Sequence, residues 1–261
     1  MIMERRKMND SPFVSLVIPA YNEGKRLKDS LITIQKYIIE KPYSVEIIIV
    51  DDGSQDETVA VANSYLNGKF AHSILSSSKN RGKGYAVKKG MLTAKGKYVV
   101  FMDADLSTPI DELEVFLKEL EGGSDVVIGT RKNKEASVKK RQPLYRELLG
   151  KGFTLLSNIL LVRDISDFTC GFKGFSREVG QDIFRRQLIP NWSFDAEILF
   201  LARKLGYGIK EVPVTWFDAE GTKVRLWRDV IWSLFGIFQI RANYLLGTYK
   251  VSQQSEKLVK E

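Results

Sequence analysis

Residues 45–58 read VEIIIVDDGSQDET and residues 98–107 read YVVFMDADLS. Each begins with an almost unbroken β-branched or aromatic run and ends in acidic and small polar residues. Such runs predict parallel strands buried on both faces, over 45–50 and 98–102. FVSLVIPAYNEG at 13–24 repeats the pattern, with a strand over 13–18 closed by Pro19. Between these runs the spacing turns helical: Leu27, Leu31, Ile34 and Ile38 share one face. Helices are expected over about 55–66, 82–94 and 109–120, with Pro109 suited to a first turn. Shorter strands are expected near Ile74 and over 126–128. Strands alternating with helices predict an α/β fold with a mostly parallel, doubly wound sheet.

Past residue 130 the composition shifts. RKNKEASVKKR at 131–141 holds six basic residues and one acid, which predicts a loop over the sheet. An amphipathic helix over about 144–161 follows, then DFTCGFKGF at 167–175, read as a loop. A helix over 194–205, a strand over 209–214 and a long aromatic helix from about Arg228 complete the chain. The second half thus adds one clear strand and reads as an extension of the first. The expected organisation is a tail over 1–12, one domain over 13–247 and a polar tail over 248–261.

Composition narrows the chemistry. A single cysteine, Cys170, excludes a disulfide framework and a cysteine-rich zinc site. A single histidine, His72, leaves no material for a His-rich metal site and argues against a Ser-His-Asp triad. Any reaction must run on carboxylates, basic side chains and an oxygen-ligated metal. Forty Lys+Arg against 32 Asp+Glu give a net charge of +8, which suits phosphates, nucleic acid or a lipid surface without choosing among them. The first ten residues carry no apolar run, so no secretory leader is expected there. The longest near-apolar stretch, 230–240, is broken by Ser233 and Gln239 and falls short of the roughly 20 residues that span a bilayer.

In an open α/β sheet, ligands bind beyond the carboxyl ends of the strands. Three of those ends are unusually polar: PAYNEG, VDDGSQD and MDADLS. Acidic strand ends facing one crevice make sense around a cation or a donor-rich base. Asp103 and Asp105 are hard oxygen ligands of the kind that suits Mg²⁺ or Mn²⁺, although such aspartates also cap strand ends and helices. No GxGxxG follows the first strand, where Pro19 and Tyr21 stand instead, and no GxxxxGK[ST] occurs.

PAYNEG, VDDGSQDET, NRGKGYAV, MDADLS, DFTCGFKGF, FDAEILF, and EVPVTW followed by EGTKV occur in this order between Val14 and Leu246. The series resembles glycosyltransferase family two with a GT-A fold, and within it the dolichyl- and other polyprenyl-phosphate glucosyl- and mannosyltransferases. The resemblance implies a nucleotide-sugar half over 13–130 and an acceptor and membrane half over 131–247, with amphipathic interfacial helices toward the C-terminus. It implies that Pro19, Tyr21 and Glu23 line the nucleotide base and ribose, and that Val50 and Asp52 meet the base edge. Asp103, Ala104 and Asp105 would hold the diphosphate, with Asp103, Asp105 and Ser107 around Mg²⁺ or Mn²⁺. Many mannosyl members carry Gln where Ser107 stands. Asp51 reads equally as a turn residue. Lys83, in a glycine-flanked loop opening a helix, favours phosphate, a solvated surface lysine being the alternative. Arg131, Arg146 and Lys223 match acceptor-phosphate positions. Lys132, Lys134, Lys139, Lys140 and Arg141 read as a solvated basic run near anionic headgroups.

A phosphate acceptor has a second pKa near ~6 and is already mostly ionised at neutral pH, so no general base is required. Asp195 and Glu197 lie two apart on a helix and therefore on different faces. Asp195 is the one expected in the site, with helix capping as its alternative. The catalytic set is then Asp105, Arg131 and Asp195. Two helix faces are strongly apolar: Leu148, Leu149, Phe153, Leu155, Leu156, Ile159 and Leu160, and Val230, Ile231, Trp232, Leu234, Phe235, Ile237, Phe238 and Ile240. Flanked by Arg225, Arg228 and Arg241, the second suits a helix lying in the headgroup region. Core packing or a homo-oligomer interface is the competing use of both.

The reading is an inverting, metal-dependent hexosyltransferase at the cytoplasmic face of a membrane, peripherally attached. UDP-glucose is the first-choice donor, GDP-mannose the second, and dolichyl phosphate the acceptor. From other classes stand a non-catalytic nucleotide- or lipid-binding module and a nucleic-acid binder. The intact DAD argues against the first. The lack of a recognition motif and the clustering of charge in one loop argue against nucleic acid.

Overall fold

The apolar runs become the middle of one seven-stranded sheet. The computed structural model describes residues 11–68, 70–132, 136–138, 144–218 and 226–250. Its strands are β1 (Val14–Ala20), β2 (Val45–Asp51), β3 (Ala71–Ser76), β4 (Tyr98–Met102), β5 (Val126–Thr130), β6 (Ser137–Val138), β7 (Phe172–Ser176), β8 (Ile209–Pro213) and β9 (Thr215–Trp216). The order across the sheet is β3-β2-β1-β4-β7-β5-β8, while β6 and β9 pair in a separate short ribbon. All pairings are parallel except those of β7, which runs antiparallel between β4 and β5.

β7 corrects the reading of DFTCGFKGF as a loop in its second part: residues 167–171 are a loop, but Phe172–Ser176 is a strand. Phe172 packs edge-on against Phe116 on one side of the sheet, and Phe175 packs with Phe101 and Phe184 on the other. The alternation is that of a strand, but Lys173 and Gly174 interrupt the apolar run and conceal it. Gly174 is bare because a Cβ there would press on Leu120 and Phe116 at 3.2 and 3.3 Å. β1 also outruns its expected end at Pro19. Pairing with β4 stops at Val17↔Phe101, whereas pairing with β2 continues to Ala20. Pro19 lies beyond the last rung to β4, where a proline is tolerated much as on an edge. This parting of β1 from β4 opens the crevice at the point where the strand order reverses.

Helices α1 (Gly24–Ile39), α2 (Thr58–Leu66) and α4 (Leu113–Glu121) cover one face, and α3 (Lys83–Thr93), α6 (Arg177–Arg186) and α7 (Phe194–Lys204) cover the other. Two apolar cores result, one on each side. α6 was not foreseen; its apolar Val179, Ile183 and Phe184 are outnumbered by charges, although all three are buried. α5 (Leu144–Leu160) and α8 (Leu226–Leu245) pack against each other beside the α7 face.

Candidate active site

The polar ends of β1, β2 and β4 meet at the crevice. After β1, the amide of Asn22 donates to Ser54 Oγ and that of Glu23 to Thr58 Oγ1, at 2.8 Å each, so this loop is tied to the one after β2. Glu23 accepts Arg26 Nε and Nη2, both at 2.7 Å. Arg26 Nη1 stands 3.6 Å from Asp105 Oδ2. Burial works against the charge on Arg26, but Glu23, Asp105 and Asp103 together outweigh it and the pKa is raised. Arg26 was missed in the sequence, where only its i, i+3 spacing from Glu23 hinted at the pair. Pro19 is half-buried and Tyr21 exposed at the same rim.

At the end of β2, Asp51 accepts the amide of Ser54 at 3.1 Å, as a turn residue does. Asp52 accepts the amides of Arg81 at 2.9 Å and Gly82 at 2.7 Å, one on each oxygen. Burial raises its pKa and the two amides oppose the rise. Asp52 thus fixes the loop that delivers Lys83. Val50 is fully buried, its methyl group lying where a side chain on Gly90 would go.

Lys83 opens α3 and reaches Asp103 Oδ1 at 2.5 Å. Burial disfavours its ammonium, yet Asp103, Asp195 and Asp105 together raise the pKa. Asp103 is hemmed from behind by Gly171, where a Cβ would lie 1.9 Å from Oδ2. Ala104 turns away, its side chain buried and its carbonyl accepting Ser30 Oγ at 2.6 Å. Asp105 Oδ1 accepts the amide of Ser107 at 3.0 Å, and Ser107 offers its carbonyl to Phe217 at 2.8 Å.

On the other side of β4 the charges are buried in pairs. Arg131 donates through Nε and Nη2 to the two oxygens of Asp167, at 2.7 and 2.9 Å, and from Nη2 to Thr169 Oγ1 at 2.8 Å. Burial opposes both charges; the pair overcomes it, raising Arg131 and holding Asp167 well below the usual carboxylate range. The loop bearing Asp167 is anchored by Glu211, which accepts the amides of Ser166 and Asp167. Lys173, fully buried, donates to Asp195 Oδ1 at 2.5 Å and to the Cys170 carbonyl at 2.6 Å. Glu197 is aimed elsewhere. It accepts the amides of Leu188 and Ile189 and the hydroxyl of Tyr249, and burial lifts its pKa to about 7. Asp167 and Lys173 were missed because their partners lie 36 and 22 residues away.

Arg146 lies on α5 with its side chain outside the described residues, as does the whole of Lys223. Lys134, Lys139, Lys140 and Arg141 also fall outside them. Lys132 is exposed, and its Nζ donates to Thr154 Oγ1 on α5 at 2.6 Å. His72 bonds the Phe70 carbonyl and Asn67 far from this crevice.

The donor set for a metal is small. Among the described residues no group of three or more His, Cys, Asp or Glu side chains could hold an ion. Asp103 and Asp105 alone fit an ion such as Mg²⁺ or Mn²⁺ that keeps waters and takes its remaining oxygens from a diphosphate. The ammonium of Lys83 against Asp103 marks the same point as cation-seeking.

The apolar helix faces meet this end of the sheet. Ser193, just before α7, packs against Gly236 of α8 and approaches the carbonyl of Trp232 at 3.5 Å. Leu148, Leu155 and Ile159 on α5, and Trp232, Phe235 and Phe238 on α8, are all more than half exposed.

The family model described as "Glycosyl transferase family 2" matches residues 15–184. A dolichyl-phosphate beta-glucosyltransferase of Dictyostelium discoideum is 36% identical over 96% of this chain and 80% of its own. The Homo sapiens protein of the same name is 34% identical over 94% and 80%. Among solved structures, mannosyl-3-phosphoglycerate synthase from Rubrobacter xylanophilus aligns with a TM-score of 0.67 at 19% identity, covering 93% of this chain and 76% of that one. Glucosyl-3-phosphoglycerate synthase from Mycobacterium tuberculosis, in complex with Mn²⁺, UDP-glucose and phosphoglyceric acid, aligns with a TM-score of 0.63 at 20% identity, covering 93% and 81%. At these identities the two structures share the fold.

Proposed function

This chain belongs to glycosyl transferase family 2, and from that premise we propose that it moves glucose from UDP-glucose to the phosphate of dolichyl or another polyprenyl phosphate. The relatives' names support the sugar, the lipid and the β product. From an α-linked nucleotide sugar, a β product requires inversion at the anomeric carbon.

The observation that carries the reading is the meeting of cations at one acidic point. Lys83 bonds Asp103 directly, while Arg131, paired with Asp167, feels the Asp103 charge more weakly, so a donor-side and an acceptor-side cation lie near one carboxylate. A lipid phosphate carries about −1.5 to −2 charges, and bringing it to a second anion needs this arrangement. Asp103 and Asp105 would hold Mg²⁺ or Mn²⁺, which, when bound, offsets the charge growing on the leaving diphosphate. Lys83 serves the same phosphates. Arg131, locked in a two-pronged bond to Asp167, presents a charge that cannot be lost by deprotonation. A phosphate oxygen of the lipid forms the new bond to the anomeric carbon as the bond to the UDP oxygen breaks. The acceptor is already ionised, so no side chain has to take its proton.

A polyprenyl acceptor is confined to a bilayer, and the exposed aromatic and aliphatic faces of α5 and α8 suit its surface. No helix among the described residues is long and apolar enough to cross a membrane. Contact of these faces with a membrane surface, on its cytoplasmic side, is part of the proposal. The test offers purified protein dolichyl phosphate in vesicles with a panel of nucleotide sugars and reads glycolipid. Glucolipid from UDP-glucose is expected. Product from GDP-mannose alone would make it a mannosyltransferase, and no lipid product from any donor would overturn the acceptor.

A further inference from the structure

Trp192 is a large aromatic side chain held at the site by a segment built to keep it there. The chain from Gln187 to Ser193 crosses the start of α3 and is fastened there by several hydrogen bonds. Gln187 Nε2 donates to the carbonyls of Gly84 and Ile189, at 3.1 and 2.7 Å. The amides of Leu188 and Ile189 bind the buried Glu197 carboxylate. The amide of Tyr85 donates to the Pro190 carbonyl at 3.2 Å, and that of Ser193 to Asn191 Oδ1 at 3.0 Å. The crossing is so close that a Cβ on Gly82 would meet the Pro190 oxygen at 2.5 Å, and one on Gly84 the Ile189 oxygen at 2.7 Å. Gly82 also has φ +110°, a conformation that only glycine adopts readily.

Two buried polar side chains and two glycines thus fix a segment whose indole is 42% exposed. Its ring centroid lies 5.3 Å from Lys83 Nζ, the ammonium that bonds Asp103. A rigid, half-exposed indole beside a phosphate-binding cation is a surface waiting for an apolar face.

We propose that Trp192 is the platform on which the hexose ring of the donor lies. This rests on the reading of the site as one for a nucleoside diphosphate sugar. The hexose is one ester link from the phosphate that Lys83 would contact, so a ring on the indole lies where its anomeric carbon can face the acceptor. Glucose has only equatorial ring hydroxyls, which leaves a C–H face that an indole can cover. The polyprenyl chain is the competing occupant, because Ser193 also touches α8 near Trp232.

The experiment measures binding of UDP and UDP-glucose by calorimetry, with transfer kinetics, for the wild type, Trp192→Ala and Trp192→Phe. Trp192→Ala is expected to bind UDP as the wild type does but UDP-glucose about ten-fold more weakly, the size of one aromatic contact. Its kcat/KM for UDP-glucose falls alongside, and Trp192→Phe recovers most of both. UDP-glucose should quench wild-type indole fluorescence beyond the effect of UDP, an increment missing from Trp192→Phe. Equal affinity of wild type and Trp192→Ala for UDP-glucose overturns the proposal. So does a loss confined to the lipid's KM, which would make Trp192 a prenyl contact. The wild-type donor panel is read first. If another nucleotide sugar is used, the UDP-glucose reading fails, and the same comparison with that donor and its free nucleotide still judges the platform.

Discussion

Asp105 and Asp167 are both carboxylates beside an arginine, yet they have opposite tasks. Asp105 is partly exposed, 3.6 Å from Arg26, and can exchange that loose partner for a cation and its phosphates. Asp105→Asn keeps the shape and loses the charge. Transfer should drop by about 100-fold or more with melting unchanged, and EDTA should do the same to the wild type until Mg²⁺ or Mn²⁺ is restored. Full activity of the variant in metal-free buffer would remove Asp105 from the site. Asp167 is wholly buried and bound to Arg131 on both oxygens. Removing its charge strands a largely buried guanidinium, so Asp167→Asn should cost about 3 kcal/mol at neutral pH. The sign of the pH dependence follows from its depressed pKa. The folded state holds fewer protons on Asp167 than the unfolded state does, so this stability is present above about pH 4 and is lost as pH falls further. The gap between wild type and variant in urea unfolding should therefore narrow below pH 4. A gap that stayed constant down to pH 2.5 would show that the pair is not what holds the loop.

At the scale of elements, what the sequence made legible and what it concealed differ in a physical way. β2 and β4 are continuous apolar runs whose burial depends only on their own composition, so both were readable, as were the acidic residues at their ends. β7 was not, because the charge of the buried Lys173 is met by Asp195 on α7, a contact no local pattern can express. The same holds for Arg131, whose identity in the sequence suggests a phosphate contact while its lock, Asp167, lies in a loop 36 residues away. Gly171, the residue before β7, also lies directly against Asp103. Gly171→Ala would push a methyl group into the Asp103 carboxylate, whose side chain is 36% exposed and able to swing aside. Stability should change by only about 1 kcal/mol or less, whereas a carboxylate displaced by about 1 Å should lower transfer on the order of 100-fold. Wild-type turnover by a stably folded Gly171→Ala would show that the Lys83–Asp103 geometry is not required.

The whole molecule brings two unlike surfaces to one end: a charged crevice at the strand ends and an apolar ridge on α5 and α8. Ser193 joins them, since it precedes the helix that carries Asp195 and packs against Gly236 beside Trp232. Trp232 and Phe235 meet edge to face at 6.0 Å and are 54% and 58% exposed, so replacing them removes little from the core. Their loss should therefore act on partitioning rather than folding. Burying two such side chains in a bilayer interface is worth a few kcal/mol, and Trp232→Ser with Phe235→Ser should weaken vesicle binding by about 100-fold. Raising salt should weaken the wild type further on anionic vesicles than on neutral ones, because the excess of eight positive charges acts through the screened field. Turnover of a short, water-soluble prenyl phosphate separates docking from chemistry: it should survive in the double variant while turnover of dolichyl phosphate in vesicles falls. A variant that binds vesicles undiminished but sediments as a smaller species would make the ridge an interface between copies of the chain, and the lipid would then have to reach Arg131 by another face.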